Sequence, residues 1–449
     1  MHNIFSGVRC QFLTRVVSTA VKTSAHLLVA CVCVMSLQSQ AASPDIFAHI
    51  SSQKSKSPNA VATWGVELNS QLWQLQSNDS FALNLPNSDV VQVSIERVTK
   101  FKNGDIQLRG KFAGDGSVIL TLGKQLSFGS INSPKHNFSI SIDNSGQASL
   151  TDVNTMPESS IDLSNDMRRP SEYGYPQAKV TSNVIGALQA KSLKLPGATR
   201  IDVLVVYASD FKDVFAVPET RINQAIGFTN SAFERSGILI DLKLVKAVEF
   251  PFLSSAGNNV FGGLGDTLSD ATNGVGAFSG VHQLRDDVGA DLVVVLHKNN
   301  QSFAAGLAWI GASRPRFGYS AINLSPNCCD SVFAHELGHN LGSGHERISA
   351  NPNQNSACTG GFTGYACGHG KSSNNWGTIM SYLNSAAIGE RFSNPTQTCK
   401  GVPCGIAKGQ PNAADNRASF NITRLLVAEF RDSNNGATLP PVINLLLDE

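Results

Sequence analysis

HELGHNLGSGH, residues 335–345, places three histidines and one glutamate within eleven positions. Residues four apart on a helix lie one turn apart on the same face, so His335 and His339 can offer ring nitrogens to one metal ion. Glu336 then stands beside the metal without binding it, where a general base belongs. Gly342 tolerates a positive φ, which lets the backbone leave the helix and double back with His345 as a third ligand. Three protein ligands leave a fourth position open, as in a reactive rather than a structural zinc site. Histidines at this spacing also occur in ordinary helix cores. The glycine and the third histidine at fixed offsets are what favour the metal.

The elements around this stretch read as α/β. Asp330 or Ser331 can cap the helix, Val332, Leu337 and Leu341 give it apolar contacts, and Gly342 stops it. Upstream, IDVLVVYAS from Ile201 is a continuous apolar strand. VPETRINQAIGFTNSAFERSG is an amphipathic helix with Pro218 near its start and Gly237 at its end, and ILIDLKLVKAVEF is a second strand. A helical stretch through GAFSGVHQLRDDVG leads to the strand ADLVVVLHK, and FAAGLAWIG and YSAINLS follow as shorter strands. Downstream the chain is loop-rich until NAADNRASFNITRLLVAEFR, where Ala418, Ile422, Leu425, Leu426 and Phe430 recur at helical spacing. Residues 199–432 are therefore expected to form a domain with a mixed, mostly parallel twisted sheet and an active-site helix. The tail 433–449 has no assignment.

The N-terminal half differs. Residues 42–153 alternate short β-type runs with Asn-Gly, Gly-Asp-Gly and Asn-Ser-Gly turns, which predicts a small all-β domain. Residues 154–198 are polar and rich in serine and proline, and read as an exposed linker containing the activation region. Residues 1–41 read as an export signal: Arg9, Arg15 and Lys22 precede the apolar AHLLVACVCVMSL, and SQA ends at Ala41. LVAC, Leu28–Cys31, only approximates a lipoprotein box, because Lys22 and His26 interrupt its apolar lead. The expected location is secreted, extracellular or periplasmic, with no stable membrane anchor.

Charge and cysteines agree with that destination. With 35 basic against 34 acidic residues, nucleic acid is not an expected partner. No cysteine occurs from 42 to 327, and six follow: Cys328, Cys329, Cys358, Cys367, Cys399 and Cys404. An even cluster in an exported chain predicts disulfides, and short-range closure favours Cys358–Cys367 and Cys399–Cys404, which leaves the adjacent Cys328 and Cys329. The absence of any C-x-x-C spacing argues against a zinc thiolate cluster. His282, His297 and His369 lie outside the motif and are read as structural or exposed.

HELGHNLGSGH fits H-E-x-x-H-x-x-G-x-x-H, and with WGTIMSY further on the sequence resembles the metzincin zinc metalloendopeptidases. The resemblance is strongest to the bacterial reprolysin-like group that includes peptidyl-Asp metalloendopeptidases. It runs from about 200 to 431 through IDVLVVY, AGLAWIG, GHG, RFSNP and ADNRAS…VAEFR. It implies one catalytic zinc on His335, His339 and His345, a zinc-bound water activated by Glu336, and Met380 as the methionine turn beneath the site. Tyr382 matches a tyrosine that assists catalysis in astacin-like and serralysin-like members. Gly306, Leu307, Ala308, Trp309 and Ile310 match the edge strand that pairs with extended substrate. Glu346 departs from the aspartate usual in the group, so subfamily and cleavage preference stay open. Metzincins often bind structural calcium, yet no dense acidic loop here identifies such a site.

By the same resemblance the β-domain is a pro-domain covering the cleft, the chain's own inhibitor. The expected protein is a secreted monomeric zymogen that hydrolyses proteins or peptides. The alternative is a zinc-holding, non-catalytic adhesin or matrix-binding protein. FAGD, Phe112–Asp115, matches the motif by which astacin pro-segments present an aspartate to zinc, but it sits at a hairpin turn between two strands, and turn chemistry alone accounts for it. MRRP, Met167–Pro170, is a poor processing site because proline follows the basic pair, which directs the expected cut to residues 195–200.

Overall fold

The computed structural model describes residues 43–53, 61–86, 90–133, 136–142, 147–156, 161–162, 166–174, 182–254, 260–298, 304–312, 314–326, 330–346, 358, 361–371, 376–381 and 389–431. The expected export signal, Cys328, Cys329, Tyr382 and the C-terminal tail lie outside the described residues.

Nine antiparallel strands build the N-terminal half: β1 (Phe47–Gln53), β2 (Thr63–Leu68), β3 (Ser80–Leu83), β4 (Val91–Lys100), β5 (Ile106–Phe112), β6 (Gly116–Leu122), β7 (Ser127–Asn132), β8 (Asn137–Ile142) and β9 (Ala148–Asp152). Their order is β1-β2-β9-β8-β7-β6-β5-β4-β3. The sheet closes on itself, because the Ile46 amide donates to the Ala82 carbonyl and the Ala82 amide to that of Pro44, both at 2.8 Å. Closure removes the free edges. Alternation sets the inner face: in β4, Val93 and Ile95 point inward while Ser94 and Glu96 stay exposed. Trp64, Phe81, Leu108, Leu120 and Phe138 fill the interior. β6 is buried on both faces, since Val118 and Leu120 enter the barrel core and Ile119 joins the core of the second half.

Two short strands follow, β10 (Ile161–Asp162) and β11 (Met167–Arg168), and then helix α1 (Ser182–Leu193). The C-terminal half comprises β12 (Thr199–Ala208), α2 (Pro218–Arg235), β13 (Ile240–Phe250), α3 (Val260–Asn273), α4 (Val281–Val288), β14 (Leu292–Lys298), β15 (Ala304–Trp309), β16 (Tyr319–Leu324), α5 (Asp330–Asn340) and α6 (Asn416–Val427). β12 pairs in parallel with β13 and β14, and β14 with β16, whereas β15 runs antiparallel to β16. The period of two divides β12 between two layers. Val203 and Val205 pack with α2 and α5, and Leu204 and Val206 pack with α3 and α4.

The barrel docks on α2 and on the start of α5. The Gln107 amide donates to the Asn223 carbonyl at 2.9 Å, and the Thr121 hydroxyl to the Gln224 side chain at 2.8 Å. Ser130 donates to Asp330, the first residue of α5, at 2.5 Å, and Asn132 to Glu390 at 3.1 Å. α2 therefore buries Arg221, Asn223 and Gln224, which an amphipathic reading assigns to solvent. A cavity of about 600 Å³ lies in this seam beside Asn132, Trp376 and Glu390.

Arg221 and Asp330 form a buried ion pair at 2.6 Å, each less than a tenth exposed. Arg221→Met should destabilise the chain by about 3–5 kcal/mol, because Asp330 keeps its charge without its cation. Urea unfolding is the measurement, and replacing Asp330 by leucine in the same chain should restore most of the loss. An unchanged midpoint for the single variant would show that Gln224 and Ser130 suffice to hold Asp330.

Candidate active site

α5 puts His335, Glu336 and His339 on one buried turn beneath β15. Its end is fixed by Asn340, whose amide donates to the carbonyls of Trp309 at 3.0 Å and Tyr319 at 2.9 Å. Gly342 then turns the chain with φ +92°, and a Cβ there would lie 2.8 Å from that of Phe362 and 2.9 Å from that of Ala312. No other residue fits that turn without strain. The reversal returns His345, whose Nε2 lies 3.2 Å from that of His335 and 3.1 Å from that of His339.

The proton inventory of these rings defines what the cluster can bind. His335 Nδ1 faces the Ile379 carbonyl at 2.5 Å and His339 Nδ1 faces the Ser343 carbonyl at 2.8 Å. A carbonyl only accepts, so both rings carry their proton on Nδ1 and turn the Nε2 lone pair toward the centre. Burial lowers the pKa of His339 and takes that of His345 down to about 3, which keeps both imidazoles neutral. The Nε2 lone pairs of His335 and His339 converge with the His345 Nε2 at about 3 Å, a set of neutral nitrogen donors that fits zinc.

A fourth donor comes from far away in sequence. Asp166, fully buried, sets its carboxylate 3.0 Å from the Nε2 atoms of His335 and His345 and 3.6 Å from that of His339. The four donor atoms lie within 4.8 Å of one another. Strand pairing holds Asp166 there: β10 and β11 run parallel to β15, the Ala308 amide donates to the Asp166 carbonyl at 2.8 Å, and the Ile310 amide to that of Arg168 at 3.0 Å. Tyr173 then packs edge-on against Trp309, with ring centroids 5.2 Å apart. Residues 161–162 and 166–174 thus lie as a strap along the edge strand expected to receive substrate. The stretch read as an exposed linker is partly buried, because β15 supplies the backbone partners that its own sequence lacks.

Glu336 has two buried carboxylate oxygens without a hydrogen-bond partner among the described residues. Burial, and then the charge of Asp166, push its carboxyl well above the usual range. β15 makes room for it at Gly306, where a Cβ would overlap the Glu336 side chain. Met380 lies under the helix, and a Cβ at Gly338 would strike its sulfur. His335 reaches the same turn through Ile379. Of the predicted edge strand Gly306–Ile310, Ala308, Trp309 and Ile310 contact the strap directly, and Leu307 and Trp309 face α3.

Other expectations find different places. Asp115 is half-exposed and pairs with Arg391 at 2.6 Å and Arg235 at 3.1 Å, so the aspartate of FAGD is a docking contact of the barrel and Asp166 is the one at the histidines. Turn geometry fixes Asp115, whose φ is +66°. Cys358 is bonded to Cys367 and Cys399 to Cys404. His282 contacts the Ala271 carbonyl at 3.2 Å, His297 is buried against Phe252, and His369 packs edge-on against Trp376. Sequence reasoning missed Asp166 and Gly338, and read Gly306 as part of the edge strand but not as the gap that Glu336 fills. The glycines left a signal in the close approach of strand and helix that α/β packing requires, whereas Asp166 left none.

Residues 197–393 match metallo-peptidase family M12 (Reprolysin_5), and residues 45–156 match the BamI lipocalin-like domain. Residues 197–393 form a metallopeptidase domain of the reprolysin-like group. A curated relative, the peptidyl-Asp metalloendopeptidase of Pseudomonas aeruginosa, is 24% identical over 287 residues, which is 57% of this chain and 44% of that protein. The chain thus spans less than half the length of this relative. Among solved structures, metalloproteinase-II from Bacteroides fragilis aligns with 71% of this chain and 89% of its own at 9% identity and a TM-score of 0.41. A chaperone–substrate complex aligns with 52% of this chain and 35% of its own at 19% identity and a TM-score of 0.39.

Proposed function

We propose that the chain is an exported zinc endopeptidase made in a latent form, with Asp166 holding the metal site closed. The observation that carries this reading is the meeting of three histidine Nε2 atoms, one carboxylate and the unpartnered Glu336 in a single buried cluster. His335, His339 and His345 would hold the metal; when bound, zinc lowers the pKa of water to about 7 and polarises a carbonyl. Glu336 takes the proton of the attacking water and delivers it to the leaving amine. β15 aligns extended substrate through its backbone, in the place the strap now fills. Nδ1 contacts to Ile379 and Ser343 keep the histidines from turning during the reaction.

In the latent state Asp166 occupies the approach to the histidines, so neither water nor a peptide carbonyl reaches Glu336. The barrel serves as the anchor that carries the strap, and removal of the strap opens the cleft. Substrates are proteins or peptides, and the P. aeruginosa relative's name makes bonds at aspartate the first to survey. Among the described residues no helix is long and apolar enough to cross a membrane.

The test measures bound zinc and casein cleavage for the full chain, for the processed chain and for His345→Ala. We expect about one zinc per chain, cleavage by the processed form alone, and loss of both zinc and cleavage in the variant. A processed protein that holds zinc and cuts no member of a broad peptide library would defeat the reading.

A further inference from the structure

We propose that helix α1 is part of the active peptidase, so that the activating cut lies before Ser182 and not at residues 195–200. The inference rests on the zymogen reading above and adds where the zymogen divides. α1 precedes the matched family region, yet it is built into the catalytic half. Leu188 is 2% exposed and packs with Val184 and Ile185 against Ile422, Leu425 and Leu426 of α6 and against Phe362. Ser192 donates to the Asn421 carbonyl at 2.7 Å, and Lys191 pairs with Glu429 at 3.0 Å.

The segment after the helix is held more tightly still. Arg424, fully buried in α6, donates to the carbonyls of Leu195 at 2.9 Å and Gly197 at 3.1 Å, and also to the Thr199 hydroxyl. The Thr199 amide donates to the Leu239 carbonyl at 2.8 Å as β12 begins. Leu193 and Leu195 project outward, but their backbone is tied to this guanidinium. A protease needs backbone it can draw into an extended conformation, and burial and hydrogen bonding of that backbone decide where nicking occurs. Cutting here would strip Arg424 of its carbonyl partners and leave a buried cation short of acceptors. On the strap side, by contrast, exposure rises from Ser171 to Gly174.

Retention also matters to the site. Phe362, against which α1 packs, donates its amide to the Gly342 carbonyl at 2.8 Å and sits within contact of the Gly342 α-carbon face. α1 therefore backs the turn that delivers His345.

The experiment takes the full chain through processing until it cuts casein, then determines the N-terminus by sequencing and intact mass. We expect the first residue at or before Ser182. An active enzyme that begins at or beyond Leu195 and lacks residues 182–194 would overturn this inference and leave the peptidase reading intact. A trimmed, zinc-loaded chain that begins at or before Ser182 and cuts nothing would overturn both. The second readout is thermal: Leu188→Ala should lower the Tm of the processed enzyme by roughly 5 °C or more. Lys191→Met serves as the milder variant if Leu188→Ala does not fold. Processed wild-type and variant enzymes with the same mass and the same Tm would mean that α1 has been discarded.

Discussion

Asp166→Ala in the full chain is expected to cut casein without processing, at least about tenfold faster than the untouched full chain. The carboxylate lies 3.0 Å from the Nε2 atoms of two histidines, where it would hold the metal position that water needs, and an occupant held by only about 1.4 kcal/mol already suppresses the open form tenfold. Alanine removes that contact and leaves the backbone pairing of Asp166 and Arg168 with β15 in place. The strap still shades the cleft, so activity should remain below that of the processed enzyme. Asp166→Asn keeps the shape without the charge and should fall between the two. Asp115→Ala should leave latency as it is, because Asp115 pairs with Arg391 and Arg235 at the far seam. The measurement is the initial cleavage rate before any chain is trimmed, followed by mass spectrometry. If the alanine variant stays as silent as wild type until it is cut, latency resides in the strap's backbone and the carboxylate only fills space.

The histidine cluster was legible because a helix encodes its faces locally. Spacing alone pairs His335 with His339, and Gly342 announces the reversal that brings His345 back. Asp166 is the opposite case. It sits in SNDMRR, where no periodicity surrounds it, and its position is fixed by pairing with Ala308 and Trp309 about 140 residues later. FAGD, a motif with a turn-forming aspartate, drew the reading elsewhere. α1 did leave a signal: Val184, Ile185 and Leu188 have helical spacing, but the polar linker around them hides so short a stripe. The barrel strands followed from alternation, while closure through Ile46 and Ala82 did not, since those residues carry no mark of being neighbours. α2 shows the same limit from another side. Asn223, Gln224 and Arg221 look like a solvated face until Gln107, Thr121 and Asp330 meet them.

Glu336→Gln should retain zinc and lose hydrolysis by about 10²- to 10⁴-fold in kcat, the range for removing a general base. Glutamine matches the shape of a side chain wedged between α5 and Gly306, so folding and metal affinity have no reason to change. Two features of the buried carboxylate make the expectation sharp. It has no hydrogen-bond partner among the described residues, and an unpaired buried carboxyl is destabilising, so the fold carries it at a loss that structure alone does not explain. It is also not a ligand, because the histidines and Asp166 complete the donor set without it. A protein that only held zinc for adhesion would be more stable with glutamine at this position and would work equally well. The decisive quantities are therefore kcat, KM and zinc content of the processed variant together with its unfolding midpoint. Retained zinc, an unchanged or higher midpoint and a collapsed kcat assign Glu336 to proton transfer. Hydrolysis within tenfold of wild type would remove it from the mechanism and require another base for the attacking water.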